Sequence, residues 1–339
     1  MRCLMSVEKV ETSFHLNFEA IELLQKALQT SFFDAYLEQV ENLLDDYQIQ
    51  VLEGTPDEPT VQRLQEIYQV LKEQKLEAEE IRKLAQLLLL KGTQKEPVQA
   101  NHQLTPDSIG FLFVYLIEQF YSNKKEPLTI FDPSVGTGNL LQTLLTNLAL
   151  SGYDVTGIGI DNDEVLIAIA AATSQWIQTD ATFYHQDALQ QSFDTQVDVV
   201  VGDLPVGYYP IDSIAGSFEM VAKTGHTYAH HLLLEQGMKK TKEDGIGLFL
   251  LPSNFLESDQ SDRFKEWLGK TAYLQGIIQL PDELFKHKAS RKSIVILQNK
   301  GPKAQQAKEI LVAQLTTLKD PQKLNQFFQQ VAKWKKENM

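Results

Sequence analysis

Three aspartates stand at the carboxyl ends of short apolar runs in the middle of this chain, and two glycines lie beside the first. Asp132 closes the run Leu128–Asp132 and opens the loop Asp132-Pro133-Ser134-Val135-Gly136-Thr137-Gly138-Asn139, which passes into a helical pattern. Glycine permits a tight turn and lets a ligand approach the backbone. The pair is equally compatible with loop closure alone, and a dinucleotide fingerprint would need a third small residue where Leu141 stands. An acid beside such a loop is a poor neighbour for a pyrophosphate, but it suits a ligand bearing an amino group and a sulfonium. Asp161, ending the run Val155–Asp161, can accept from both hydroxyls of a ribose, and Asp187, just past Ala181–His185, from an exocyclic adenine amine. Each acid alone reads equally well as a cap or turn residue. Open α/β sheets bind ligands at the carboxyl ends of their strands, so in this order the three surround one crevice.

This order of motifs resembles the class I S-adenosylmethionine-dependent methyltransferases. Within them it is similar to the adenine-N6-specific DNA methyltransferases, namely the modification subunits of type I restriction systems and their short single-chain bacterial relatives. The likeness covers roughly residues 101–300. His102-Gln103-Leu104-Thr105-Pro106 looks like the segment that precedes the family's glycine loop and touches the methionine part of the cofactor. The resemblance implies S-adenosylmethionine as cofactor, and since no cluster of Cys and His has zinc spacing no metal is expected. It places the contacts at Thr105, Pro106, Asp132, Ser134, Gly136, Thr137, Gly138, Asn139, Asp161, Asn162, Asp187 and Ala188. It also implies a Rossmann-like α/β sheet of seven strands with an antiparallel last strand, preceded by an all-helical domain.

An exocyclic amine is hard to methylate because its lone pair is delocalised into the ring. A site must hold the amine between acceptors, so that electron density returns to nitrogen as it meets the methyl group in line. In the resembling family this falls to an acidic or amide side chain, a proline-fixed carbonyl and a stacking aromatic after the fourth strand. Here that strand runs into Asp203-Leu204-Pro205-Val206-Gly207-Tyr208-Tyr209. Asp203 keeps the acceptor and Pro205 the second proline, while Leu204 replaces the first proline and Val206 the aromatic. Tyr208 or Tyr209 could stack from a shifted position, or both could simply pack the loop. Farther on, Phe285 matches a phenylalanine that in some relatives meets the other face of the base. Lys286, Lys288, Arg291 and Lys292 beside it, with the basic carboxy-terminal segment, are candidate DNA phosphate contacts or a solvated charged loop. Tyr228, His230 and His231 line the pocket or pack a helix, and Pro252-Ser253-Asn254-Phe255 borders the crevice.

The elements that must carry these residues fall into two textures. Up to residue 96 apolar residues recur every three or four, as in Leu16, Ala20, Leu23, Leu24, Ala27 and Leu28, then Phe33, Tyr36, Leu37, Val40 and Leu44. A turn at Gly54–Pro59 interrupts this pattern, and Lys91–Pro97 reads as a linker. Beyond it short β-rich runs alternate with helical patterns, as in a mostly parallel sheet. The dozen residues between Leu274–Leu280 and Ser293–Gln298 favour an antiparallel final strand. Domains are therefore expected at 1–96 (helical), 97–300 (methyltransferase) and 301–339 (basic extension). The amino-terminal helices could serve a homodimer or a specificity partner.

Composition narrows the classes. The 339 residues are 43% hydrophobic and 22% charged, which suits a folded protein of about two domains. One cysteine, Cys3, excludes an internal disulfide, and no apolar run approaches the ~20 residues of a membrane span. A cytoplasmic location is expected. Net charge is −14 and uneven: residues 1–100 carry 10 basic and 18 acidic side chains, residues 101–260 carry 6 and 20, and residues 261–339 carry 15 and 7. A polyanion would be repelled by the middle segment, so its contacts should come from the last. The resemblance implies methyl transfer to adenine N6 in DNA. Two alternatives stand beside it: transfer to another amine in RNA, protein or a small molecule, and a cofactor-binding module without catalysis.

Overall fold

The computed structural model describes residues 6–96, 103–190, 193–285, 287 and 290–339. Cys3, His102, Lys286 and Lys288 lie outside them, as does Pro97 at the end of the expected linker.

Four helices open the chain: α1 (Val7–Leu28), α2 (Phe32–Leu44), α3 (Glu58–Gln74) and α4 (Ala78–Lys95). Their starts are fixed by side-chain caps, with Ser31 Oγ accepting from Asp34 N and Asp57 Oδ1 from Thr60 N. Their apolar faces meet around Leu24, Tyr36, Leu64 and Leu88, all buried. The expected break at Gly92 is absent because α4 runs on to Lys95. Gly92 serves packing instead: a Cβ there would stand 2.6 Å from the Phe32 ring.

After α5 (Asp107–Phe120) come β1 (Leu128–Asp132), α6 (Asn139–Leu150), β2 (Val155–Asp161), α7 (Glu164–Ile177), β3 (Ala181–His185) and β4 (Val197–Asp203). Next are α8 (Asp212–Ala215), α9 (Ala229–Lys240), β5 (Thr241–Pro252), α10 (Ser261–Thr271), β6 (Ala272–Gln279), β7 (Lys292–Asn299), β8 (Leu311–Gln314) and α11 (Pro321–Asn338). The strands form one sheet in the order β3-β2-β1-β4-β5-β7-β6-β8. β7 runs antiparallel to both neighbours and the other pairings are parallel. The sheet therefore has eight strands rather than seven. The added strand, β8, pairs Leu311–Gln314 with Gly276–Gln279, and α11 packs Phe327, Val331 and Trp334 into the core on one sheet face.

Inward-facing residues alternate along the strands. Ile130, Val199 and Leu248 face α5, α6 and α11, whereas Phe131, Val200 and Phe249 face α9 and α10. Chain order reverses between β1 and β4, so the loops leaving these two strands diverge and open a crevice at their carboxyl ends. The amino-terminal helices are anchored behind it. Ile169 of α7 belongs to their core, and Tyr36 Oη lies 2.8 Å from Thr173 Oγ1 with both side chains buried. Among the described residues no helix is long and apolar enough to cross a membrane.

Candidate active site

The crevice is a cleft of ≈ 560 Å³. Its floor is Asp132, which is 1% exposed and accepts from Ser134 N at 3.0 Å. Burial pushes its carboxyl up to about 8, helped by the charges of Asp161 and Asp203. Such a group favours a cationic neighbour, which would repay the cost of ionising it. The two glycines do different work. Gly136 has φ +53°, and a Cβ there would meet nothing within 4 Å, so the loop leaves open space above it. Gly138 has φ +79° and stands against α7, where a Cβ would come 3.1 Å from Ala170 Cβ. Its requirement is the turn and the helix contact, and it does not line the cleft. Ser134 Oγ is buried without a hydrogen-bond partner.

Asp161 ties the loop to β2: its Oδ2 accepts from Gly136 N at 2.8 Å and its Oδ1 from Asp163 N at 3.0 Å. Each oxygen keeps a further lone pair for the cleft. Asp187 is more fully engaged. Its Oδ1 accepts from Leu189 N at 2.9 Å, and its Oδ2 from Tyr209 Oη at 2.6 Å and Gln190 Nε2 at 2.8 Å. The Tyr209 hydroxyl is pushed up to about 12 by burial and by this carboxylate. Tyr209 is thus committed to the wall and is not a stacking platform. Tyr208 is free to be one: it is 56% exposed and lies parallel to Tyr228, with centroids 4.8 Å apart. Tyr228 stacks in turn on His230 at 5.1 Å. Short pairing holds this column, since Tyr209 N donates to Thr227 O and Ala229 N to Gly207 O. His230 and His231 are buried, which pushes their imidazoles down to about 3 and 4, so both are neutral near pH 7.

At the end of β4, Asp203 Oδ2 accepts from Thr105 Oγ1 at 2.9 Å, and Asn139 Nδ2 donates to Thr105 O at 2.6 Å. One residue thereby joins the segment before α5 to the glycine loop and to the strand end. Lys292 donates to Asp203 Oδ1 and reaches Leu204 O at 3.4 Å. This corrects the reading of Lys292 as a phosphate contact, because its charge is paired with the half-buried Asp203. Arg291 likewise pairs with Asp282 at 2.5 Å.

The cleft thus gathers Thr105, Asp132, Ser134, Gly136, Thr137, Asn139, Asp161, Asn162, Asp187, Ala188, Asp203, Pro205 and Tyr208. It does not gather Pro106, which caps α5, or Phe285, which packs partly against the core that α11 covers. Sequence reasoning missed Lys292 as the partner of Asp203 and Tyr209 as the partner of Asp187. Neither left a local signal, since Lys292 and Asp203 are 89 residues apart and the sheet places β5 between them.

Residues 70–336 match the N-6 DNA Methylase family. The chain belongs to that family. Residues 11–93 match the YtxK N-terminal helical domain. YtxK of Bacillus subtilis is 36% identical over 330 residues, covering 97% of this chain and 98% of that protein. A Listeria monocytogenes crystal structure, provisionally assigned as a class I S-adenosylmethionine-dependent methyltransferase, is 38% identical with a TM-score of 0.88, over 97% of this chain and 99% of that one. The type I restriction-modification methyltransferase subunit of Streptococcus thermophilus shares the fold at 15% identity and a TM-score of 0.64, covering 99% of this chain and 76% of that one. Membership makes methyl transfer the class of chemistry of this chain.

Proposed function

We propose that the chain transfers a methyl group from S-adenosylmethionine to the exocyclic N6 amine of adenine in DNA. The observation that carries this reading is the convergence of Asp132, Asp161 and Asp203 on one cleft beside the open loop at Gly136. The residues fit the donor. A buried carboxyl suited to a cation, an unpartnered Ser134 Oγ and the spare lone pairs of Asp161 match its amino group, its polar tail and its ribose. When bound, the donor supplies a methyl group activated by sulfonium. Asp187 holds the adenine end with its remaining capacity on Oδ1.

Asp203 and a carbonyl of the Leu204-Pro205 turn would accept the two hydrogens of the target amine, raising electron density on nitrogen. Thr105 fixes the rotamer of Asp203. The exposed face of Tyr208 receives an extruded base, a contact worth about 1–3 kcal/mol. The reading as a cofactor-binding module without turnover also has an observation behind it, the Lys292–Asp203 ion pair, which occupies the catalytic acceptor.

Labelled methyl transfer to unmethylated and to adenine-premethylated DNA separates the two. Incorporation into the first only, lost by at least a hundredfold in Asp203→Ala, is the expected result. Cofactor binding with no label in either DNA would refute the enzyme reading.

A further inference from the structure

An amine of the chain itself already occupies the acceptors assigned above to the target amine. Lys292 opens β7 opposite Pro252, the last residue of β5. Its side chain extends past β5 to the end of β4, where Nζ donates to Asp203 Oδ1 and to Leu204 O. The two side chains are only 21% and 25% exposed. The carboxylate and the carbonyl that follows it are the pair of acceptors an N6 amine would require, and Asp203 lies in the same cleft as Asp132 and Gly136. His230 of α9, neutral and buried, is a further titratable group close to this ammonium.

We propose that Lys292 Nζ is a methyl acceptor, so that in the absence of nucleic acid the chain methylates its own Lys292. This rests on the cleft being the donor site. An alkyl ammonium has no lone pair, so Nζ first passes a proton to Asp203 Oδ1, which it touches. A sulfonium brought close disfavours both the ammonium and a protonated Asp203, so the proton passes on to water and leaves a neutral amine beside the carboxylate. The Nζ–CH₃ bond then forms as the S–CH₃ bond breaks, the sulfur keeping the bonding pair. The products are S-adenosylhomocysteine, a methylated ammonium that retains its charge, and one proton that leaves Asp203 for water. No oxidant or reductant takes part.

The test uses the full-length protein with methyl-labelled S-adenosylmethionine and no DNA, with donor binding measured by calorimetry on the same sample. Fragmentation mass spectrometry is expected to find the methyl on Lys292, acquired at a rate independent of protein concentration and lost entirely in Lys292→Gln. A second readout needs no donor. Trace acetylation should label Lys292 at least tenfold more slowly than Lys319, which is 83% exposed, and Asp203→Asn should remove that protection. Donor bound at saturation with Lys292 unmodified overturns the proposal, as does acetylation of Lys292 at the surface rate. A chain that binds no donor refutes the cofactor reading itself, and this proposal with it.

Discussion

Burial governs the behaviour of Asp132. Its carboxyl is raised to about 8, whereas in the unfolded chain it ionises near the ordinary value of 3.8. Below that value both states hold the proton and the group costs nothing. As pH rises toward 8 the unfolded state gains from ionisation and the folded state does not, so stability falls across this window. Asp132→Asn keeps an oxygen for Ser134 N and removes the buried acid. It should therefore raise the melting temperature by a few degrees at pH 7, with the gain vanishing near pH 4, while weakening donor binding. A set of thermal melts from pH 4 to pH 8 measures the first effect, and an equal melting temperature throughout would refute it. Tyr208 acts at the same scale. Tyr208→Ala should weaken binding of a single-stranded oligonucleotide by about tenfold, leaving donor affinity within twofold. Fluorescence anisotropy and calorimetry read the two separately.

Among the elements, the contact between α4 and the start of α5 and α6 matters most to the site. Arg82 is 2% exposed, and its guanidinium donates to Glu79, to Asp107 at 3.0 Å and to Thr143 at 3.1 Å. Removing one member of such a buried network leaves unpaired charge. Arg82→Ala is thus expected to cost about 3–5 kcal/mol in chemical denaturation. It should also lower donor affinity, because Asp107 follows the Thr105-Pro106 segment that lines and caps this region. A loss below 1 kcal/mol would show that the helices do not brace the cleft.

Elements of this kind were unequally legible in the sequence. Runs ending in Asp132 and Asp161 have those limits in the structure, since polar strand ends at a crevice contrast with buried interiors. β8 was visible only as the run Ile310–Leu315, because a four-residue edge strand alternates too briefly to declare its partner. Gly92 misled because glycine marks both helix ends and close helix contacts. The acids of the site could be read because their positions follow strand order. The ion pair of Lys292 could not, because it depends on which strands become neighbours.

For the whole molecule, a net charge of −14 with an acidic middle segment favours a cationic donor and opposes a polyanion. Lys292 is paired with the half-buried Asp203 and Arg291 with the exposed Asp282, so a DNA contact by either must displace that partner. Everything therefore depends first on the donor. Calorimetric titration of S-adenosylmethionine into the wild-type chain and into Asp161→Ala tests this most directly. The account predicts one site per chain, with affinity at least tenfold weaker in the variant, because Asp161 holds Gly136 N and is the residue proposed to hold the ribose. Equal affinity in the two proteins, or no heat in either, would contradict it.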